Sequence, residues 1–410
     1  MEFLDRLTDA QTWEQFYRSC ELKDFMSVRE LRELRRILDA GECRQEITQW
    51  LGGQWHFPNA SRKIINKLSS GKKRVVYTFE PTQRTILKVL AWHLHEYDRI
   101  FTPNLYSFRV NSGVKKAVAY LRNQPRLSLR HVYKVDIHDY FNSVNVDKVL
   151  AMLRGVLTEE PKLCSLIEEI LTNPCVNDDG KVICEERGIM AGMPISSFLA
   201  NLYLSGMDRA MHEQGVLYAR YADDIIVFAD TAEELAERKE FILGTLAEYG
   251  LTVNPAKEFT AAPHEPWTFL GVTYCDGVVD VSEASVTKLK GKMKRRARKV
   301  YRWKCRNHVA DEAAIRVYID HFNRKFYEAD SSSELTWGRW FFPVITRSDS
   351  LAVLDRYMVE CIRYIATGRY TKANYRLRYE DIKRLGFRSL VHEYYLGSGK
   401  ESAGEGKEQA

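Results

Sequence analysis

The sequence predicts an α+β chain that continues into an all-helical region. Three observations point there. The first fifty residues space their apolar side chains for helices. The middle runs strand, helix, hairpin, helix and short strands. From Ser285 onward the spacing is almost wholly helical. Element order alone leaves the middle as α+β or α/β, and the natural cut falls near residue 283.

Each element has its own signal. Asp9 or Thr12 suits the cap of a first helix. SVRELRELRRILDAG repeats Val28, Leu31, Leu34 and Ile37 at helical spacing and stops at Gly41. Residues 51–85 are more irregular, with SSGKKRVVYTF reading as a turn that feeds a strand. Helical spacing returns from Thr82 to Phe101. HVYKVDIHDYF has strand composition leading into a turn. A helix follows over 146–171, then a hairpin around Asn177–Gly180, then a helix in FLANLYLSGMDRAM. YADDIIVFAD reads as a hairpin, and TAEELAERKEFILGTLAEYG as a helix stopped by Gly250. LTVN, TFLGVTY and VVDV read as short strands. The polar end, GSGKESAGEGKEQA, reads as a disordered tail.

Composition narrows the class. With 410 residues, 45% hydrophobic and 12% aromatic, the chain is globular over most of its length. Its net charge of +6 is unevenly spread. The eight cysteines form no Cys-x-x-Cys pair and read as free thiols of a reducing cytosol. The ten histidines lack zinc-ligand spacing. The N-terminus is acidic and amphipathic, unlike a signal peptide. No apolar run approaches the ~20 residues of a membrane span. The expectation is a cytoplasmic protein with no membrane partner.

The chemistry starts from 217-LYARYADDIIVFAD-230, where Asp223 and Asp224 sit side by side in a run that otherwise reads as buried strand. An unpaired buried charge is costly, and two neighbours cost more. Asp is also a good turn former, but the flanks RYA and IIVFA leave little room for a solvated loop. A divalent cation is the missing partner that fits. Mg²⁺ is held by a few carboxylates, waters and substrate phosphates, so a third acid is expected on a neighbouring strand. Asp136 in 133-YKVDIHDYFNSV-144 supplies it at the end of an apolar strand. Asp139 and Asp147 lie past that strand and read as turn or cap residues. Two Mg²⁺ ions (or Mn²⁺) about 3.5–4 Å apart would suit Asp136, Asp223 and Asp224. Such a pair activates a 3′-hydroxyl and stabilises leaving pyrophosphate, which is nucleotidyl transfer.

The order of blocks now resembles a known family. Asp136 comes first, with Phe141 five residues later. Then follow 188-GIMAGMPISSFLANLYL-204, Tyr221–Asp224, 251-LTVNPAKEF-259 and 269-FLGVTY-274. The series resembles bacterial reverse transcriptases of the group II intron and retron lineage, most of all the defence-associated "unknown group" enzymes, over residues 60–300. The resemblance implies a right-hand polymerase. Residues 1–58 would form an N-terminal helical region, 59–283 the fingers and palm, 284–396 a helical thumb and extension, and 397–410 a tail. Asp136 and Asp223 would be the main metal ligands, with the Ile137 carbonyl, and Asp224 would support them. Phe141 resembles the aromatic gate against a ribonucleotide 2′-hydroxyl, with core packing as the plain alternative. Lys257 resembles the lysine near the incoming phosphates. Phe269, Leu270 and Gly271 resemble the primer grip. In 71-GKKRVVYTFEPTQR-84, Lys72, Lys73 and Arg74 resemble the cations that clamp a triphosphate, as does Arg84. Arg109 resembles the arginine that orders the fingers.

One departure stands out. Many relatives have Pro-Gln-Gly where this chain has Met190-Ala191-Gly192. Ala191 cannot supply the hydrogen bonds of that glutamine, while Gly192 still permits close backbone approach to a nucleotide. No retron-specific block, long maturase region or His/Asn endonuclease motif is found in these residues. The implied partners are an RNA template, its DNA product, dNTPs and a dedicated, structured non-coding RNA used in antiphage defence. A reverse transcriptase of a mobile retroelement and a non-catalytic RNA-binding protein on a polymerase fold are the alternatives.

Further on, 288-KLKGKMKRRARKVYRWKCR-306 holds eleven Lys or Arg and no acid. Leu289, Met293, Ala297 and Val300 share one helical face. A helix with one packing face and one cationic face suits a thumb against a duplex backbone, giving affinity without sequence preference. A simply solvated face is the alternative. Tyr301 and Trp303 read either as stacking surfaces or as core. Trp337, Trp340, Phe341 and Phe342 read either as the core of a helical extension or as an RNA-binding surface, beside Arg376, Arg378, Lys383 and Arg384.

Overall fold

The computed structural model describes residues 1–22, 26–66, 73–186, 188–328, 336–369 and 376–398. Lys72, the side chain of Lys73 and most of the tail lie outside the described residues. The chain divides into two compact units, Met1–Glu265 and Pro266–Ala410.

The first unit opens with helices α1 (Phe3–Arg6), α2 (Ala10–Leu22), α3 (Val28–Ala40) and α4 (Glu42–Leu51). Asp9 Oδ1 accepts from the Gln11 amide (3.3 Å) at the start of α2. Ser27 and Glu30 form a capping box on α3, and Gly41 ends that helix at φ 75°. Leu34 and Ile37 bury as the spacing predicts, whereas Val28 stays 60% exposed.

Two sheets follow. Strands β1 (Ala60–Asn66) and β2 (Lys73–Thr78) pair antiparallel. After α5 (Pro81–Leu94) and α6 (Val114–Arg122) comes β3 (His131–Asp136), then α7 (Tyr140–Ser143), α8 (Val146–Val156) and α9 (Pro161–Thr172). Hairpin β4 (Cys175–Asp178) and β5 (Lys181–Cys184) joins the first sheet, whose order is β2-β1-β4-β5. Helices α10 (Ser196–Tyr203) and α11 (Ser205–Glu213) lead to hairpin β6 (Tyr218–Tyr221) and β7 (Asp224–Ala229). Helix α12 (Ala232–Glu248) and β8 (Phe259–Ala261) complete the second sheet, in the order β6-β7-β3-β8. Tyr133, Val135, Ile225 and Val227 are fully buried within it.

Five expectations need correction. TFLGVTY, read as one strand, is parts of two, Trp267–Phe269 and Val272–Cys275, because the chain reverses at Leu270 and Gly271, both at positive φ. The helix expected over 146–171 is two helices. Pro161 at the first position of α9 has no N–H to donate to the preceding turn, so it starts a new helix. FLANLYLSGMDRAM also breaks, at Leu204 (φ −104°, ψ 11°). Residues 60–66, read as irregular, form a strand. LTVN is not a strand: Val253 makes an isolated bridge to Ile137, and the strand beside β3 is Phe259–Ala261.

The second unit begins with a small antiparallel sheet of β9 (Trp267–Phe269), β10 (Val272–Cys275) and β11 (Val278–Val281). Its helices are α13 (Glu283–Arg306), α14 (Asp311–Tyr327), α15 (Trp337–Phe341), α16 (Asp349–Thr367), α17 (Tyr379–Arg384) and α18 (Leu390–Ser398). This sheet folds with those helices: the Val279 amide donates to Thr346 Oγ1 (2.9 Å) and Ser350 Oγ to Asp280 Oδ2 (2.9 Å). In α13, Leu289, Met293, Ala297 and Val300 are buried, while Lys294, Arg295, Arg298 and Lys299 face solvent. Phe341 is buried against Trp337 (4.6 Å between centroids), which also meets Phe326 (5.8 Å). Tyr301 packs on Tyr364 (5.4 Å), and Trp303 is 40% exposed. Among the described residues no helix is long and apolar enough to cross a membrane.

Candidate active site

Backbone register brings the three acids together. Asp136 ends β3 directly opposite Asp224, the first residue of β7. Tyr221 and Asp224 close the β6–β7 hairpin, leaving Ala222 and Asp223 as its two-residue turn. The Ile137 amide donates to the Asp223 carbonyl at 3.0 Å, fixing the turn to the end of β3. Two-residue hairpins need positive φ, and Ala222 supplies it at 57°. An alanine there is uncommon and strained by roughly 1–3 kcal/mol.

What holds the strained turn is a buried arginine. Arg220 and Asp208 are 0% and 1% exposed. Arg220 Nε donates to both Asp208 oxygens at 3.0 Å, and Nη1 donates to the Ala222 carbonyl at 3.3 Å. Nη2 donates to the Asn201 carbonyl at 3.1 Å. Asn201 in turn exchanges hydrogen bonds with Ser107, at 2.9 Å each. Ser107 immediately precedes Phe108, which stands at φ 55° and 37% exposed, with its ring 6.2 Å from both Phe141 and Tyr221. Arg109 fixes the same loop by donating to the carbonyls of Thr102 (2.7 Å), Leu105 (3.1 Å) and Asp98 (3.2 Å).

Asp223 and Asp224 sit in a field that resists their ionisation. Burial, then the neighbouring Asp136 carboxylate, raises the Asp223 carboxyl above its ordinary value. Burial pushes Asp224 up to about 6, against the pull of Lys134. Lysines partly answer the charge. Lys257 Nζ lies 2.5 Å from Asp136 Oδ2, and Lys134 Nζ 3.4 Å from Asp224 Oδ1. Arg74 is exposed on β2, and its charge acts favourably on Asp223. Asp224 Oδ1 is buried and accepts no hydrogen bond among the described residues. The Ile137 carbonyl accepts none there either. Among the described residues no three carboxylate, imidazole or thiol groups close into a cage of their own. Mg²⁺ takes one or two carboxylates and completes its octahedron with water and substrate phosphates. The Asp224 carboxylate, held among the described residues only by the long Lys134 contact, and the Ile137 carbonyl are suitable donors for such an ion.

The other expected residues lie on several different elements. Phe141 is half-buried on α7, edge-on to Phe108 and to Tyr140. The Ile189 amide donates to its carbonyl at 2.9 Å. A Cβ on Gly188 would stand 2.4 Å from that same carbonyl oxygen, so only glycine fits. Gly192, at φ 104°, lies against β2, where a Cβ would meet the Tyr77 carbonyl oxygen at 3.0 Å. The Tyr77 amide donates to the Ala191 carbonyl at 2.8 Å. Arg84 is exposed on the first turns of α5, with Glu30 and Lys88 as its charged neighbours. Lys72 lies outside the described residues. Phe269, Leu270 and Gly271 belong to the second unit, where Leu270 (φ 49°) and Gly271 (φ 86°) form the tight β9–β10 turn.

Residues 65–274 match the family model described as Reverse transcriptase (RNA-dependent DNA polymerase). The chain is 23% identical over 227 residues to the Retron Ec86 reverse transcriptase of Escherichia coli, covering 54% of this chain and 65% of that one. It is 26% identical over 210 residues to the Retron Mx65 reverse transcriptase of Myxococcus xanthus, covering 47% and 44%. The chain therefore spans about half to two thirds of the length of these curated relatives. Among solved structures, apo telomerase from Candida tropicalis aligns with a TM-score of 0.45 at 13% identity, over 83% of this chain and 72% of that one. The family match takes in all three acids, Phe141, Gly192 and Lys257, and the fold class is that of a right-hand polymerase, α+β with a helical end. By that match over half its length, the chain belongs to the reverse transcriptase (RNA-dependent DNA polymerase) family.

Proposed function

We propose that this chain is an RNA-directed DNA polymerase that copies a dedicated, structured non-coding RNA into DNA during defence against bacteriophage. The observation that carries the polymerase reading is the register of Asp136 against Asp224, with Asp223 in the adjoining turn. Asp136, Asp223 and the Ile137 carbonyl would hold Mg²⁺ (or Mn²⁺), with Asp224 in support. Two such ions, when bound, activate a primer 3′-hydroxyl and neutralise charge on the phosphoryl group being transferred. Lys257 pairs with the Asp136 carboxylate and holds it in place. Arg74, exposed on β2, offers a charge-assisted fork to the triphosphate of an incoming dNTP. Gly192 lets main chain approach the nucleotide where a side chain would not fit. The Phe141 ring excludes a 2′-hydroxyl. The cationic face of α13 gives the RNA template and DNA product a sequence-independent grip. Likeness to retron enzymes supports the use of a dedicated RNA.

The test is primer extension on an RNA template with dNTPs and Mg²⁺. The wild-type chain is expected to extend the primer. A soluble Asp223→Ala/Asp224→Ala variant is expected to be inactive. Absence of synthesis by the wild type would favour a non-catalytic RNA-binding role. Near-normal synthesis by the variant would move the site elsewhere. Sequencing the copurifying nucleic acid separates a single recurring non-coding RNA from the intron or cassette of a mobile element.

A further inference from the structure

Hairpin β4–β5 reads CVNDDGKVIC, a cysteine at each end of ten residues. Asp179 (φ 45°) and Gly180 (φ 84°) form its turn, both at the positive φ such two-residue turns require. That turn sets the register, and Cys175 falls directly opposite Cys184. The Glu185 amide donates to the Pro174 carbonyl at 3.1 Å. A bond between the flanking residues marks the cysteines as a non-hydrogen-bonded pair, where side chains approach most closely and Cα atoms lie about 4.5 Å apart. Disulfides accept Cα separations of about 4.4–6.8 Å. The two Sγ atoms stand 3.6 Å apart, in thiol contact without a covalent bond. Cys184 is exposed and Cys175 partly so, whereas Cys20, Cys43, Cys164 and Cys361 are buried.

The hairpin's position gives the pair leverage. Strand β5 is an edge strand of its sheet. Glu185, the residue after Cys184, accepts from the Tyr77 hydroxyl (2.9 Å) on β2 and lies 3.2 Å from Arg62 on β1. Arg62 also reaches Asp178 on β4 at 3.2 Å. The end of β5 is thus tied to both other paired strands, a few residues ahead of the loop carrying Ala191 and Gly192.

We propose that Cys175 and Cys184 are a reversible thiol–disulfide site, which low-molecular-weight disulfides convert into a cross-strand bond that staples this edge hairpin. The exposed Cys184 thiol gives its proton to solvent and attacks one sulfur of the small disulfide. That breaks the small S–S bond, expels one thiolate and leaves a mixed disulfide on Cys184. Cys175 then loses its proton, attacks Cys184 Sγ and expels the second thiolate. Both thiolates are protonated, so two protein thiols are oxidised and one small disulfide is reduced to two thiols. The closed ring restrains the fraying of β5. The site does not depend on the polymerase reading.

The experiment equilibrates the full chain with graded ratios of oxidised to reduced glutathione, alkylates with iodoacetamide and maps tryptic peptides by mass spectrometry. Trypsin cuts after Lys181, between the cysteines, so the bond holds two peptides together. With oxidised glutathione in excess, Cys175 and Cys184 are expected to lose alkylation together, and the joined peptides to weigh two hydrogens less than their sum. Reduced glutathione should reverse this. Amide hydrogen exchange along β5 is expected to slow on the order of tenfold in the oxidised chain. Cys184→Ser and Cys175→Ala should each abolish the slowing, while Cys305→Ser should leave it intact. Glutathione resting on Cys184 at every ratio, with Cys175 still alkylated, would overturn the proposal. A cross-link that leaves exchange along β5 unchanged would overturn the staple.

Discussion

Replacing Asp208 by Asn tests how the Tyr221–Asp224 turn is held. The substitution keeps size and shape and removes one charge. Arg220 cannot shed its proton and is 0% exposed, so a full positive charge would stay in the interior without its counter-ion. Losing one partner of such a buried pair costs roughly 3–5 kcal/mol. For a unit of this size about 2–4 °C accompanies each kcal/mol, so the melting transition should fall by roughly 6–20 °C. The companion variant, Asp208→Leu with Arg220→Met, removes both charges and should recover most of that loss. It still deprives the Ala222 carbonyl of its donor, so primer extension should remain impaired while stability returns. The assay pairs thermal melting with primer extension on the same preparations. If Asp208→Asn melts within about a degree of wild type, the charge is not buried as described. If the double variant regains full synthesis, Arg220 does not position the turn.

Three further outcomes are expected. Phe141→Ala should raise ribonucleotide incorporation relative to dNTPs, and Phe108→Ala should shift it the same way; lower melting with unchanged sugar discrimination would make both rings mere packing. Changing Lys294, Arg295, Arg298 and Lys299 to Gln should weaken duplex binding regardless of sequence and flatten the slope of log affinity against log salt by about three, at 0.7–0.9 per lost phosphate contact; equal slopes would mean that this face of α13 is only solvated. In chelator, the native chain keeps on Asp224 a proton that the unfolded chain has lost, because its carboxyl is raised from 3.8 to about 6. Stability should therefore be highest below the ordinary value and decline as pH rises to about 6, by at most roughly 3 kcal/mol at 1.36 kcal/mol per pH unit, less whatever solvent reaches a side chain that is 21% exposed. Asp224→Asn should remove that decline and melt higher at pH 7, whereas an unaltered pH slope would contradict the burial assigned to Asp224.

Much of the site was legible because it violates a local rule. Charges in an apolar strand need a partner, and that argument leads from Asp223 and Asp224 to Asp136, which the register places opposite Asp224. The same argument applies to Arg220, which lies in the same stretch, and leads to Asp208 twelve residues earlier. Phe108 was illegible for a different reason. A bulky residue at positive φ runs against its own preference, and buried partners such as Ser107 and Asn201 decide the matter from far along the chain. Strand β1 was missed because Ile64 and Ile65 are both about half exposed, so ASRKIIN shows no alternation. Pro161 marks the break before α9, whereas near Leu204 the one such signal is Gly206, already in the first turn of α11.

Gly188 has a consequence beyond its own position. The missing side chain lets the 188–192 backbone rest on the Phe141 carbonyl, where any Cβ would stand 2.4 Å away. Main chain touches main chain, with the Ile189 amide bonded to the same oxygen. There is no flexible side chain between them to absorb a displacement. A displacement of the loop is therefore passed directly to the backbone that carries the Phe141 ring. If Phe141 and the 191–192 loop face the nucleotide as proposed, sugar choice and base accommodation would be linked traits, and a methyl group at position 188, far too small to reach a substrate, would alter both.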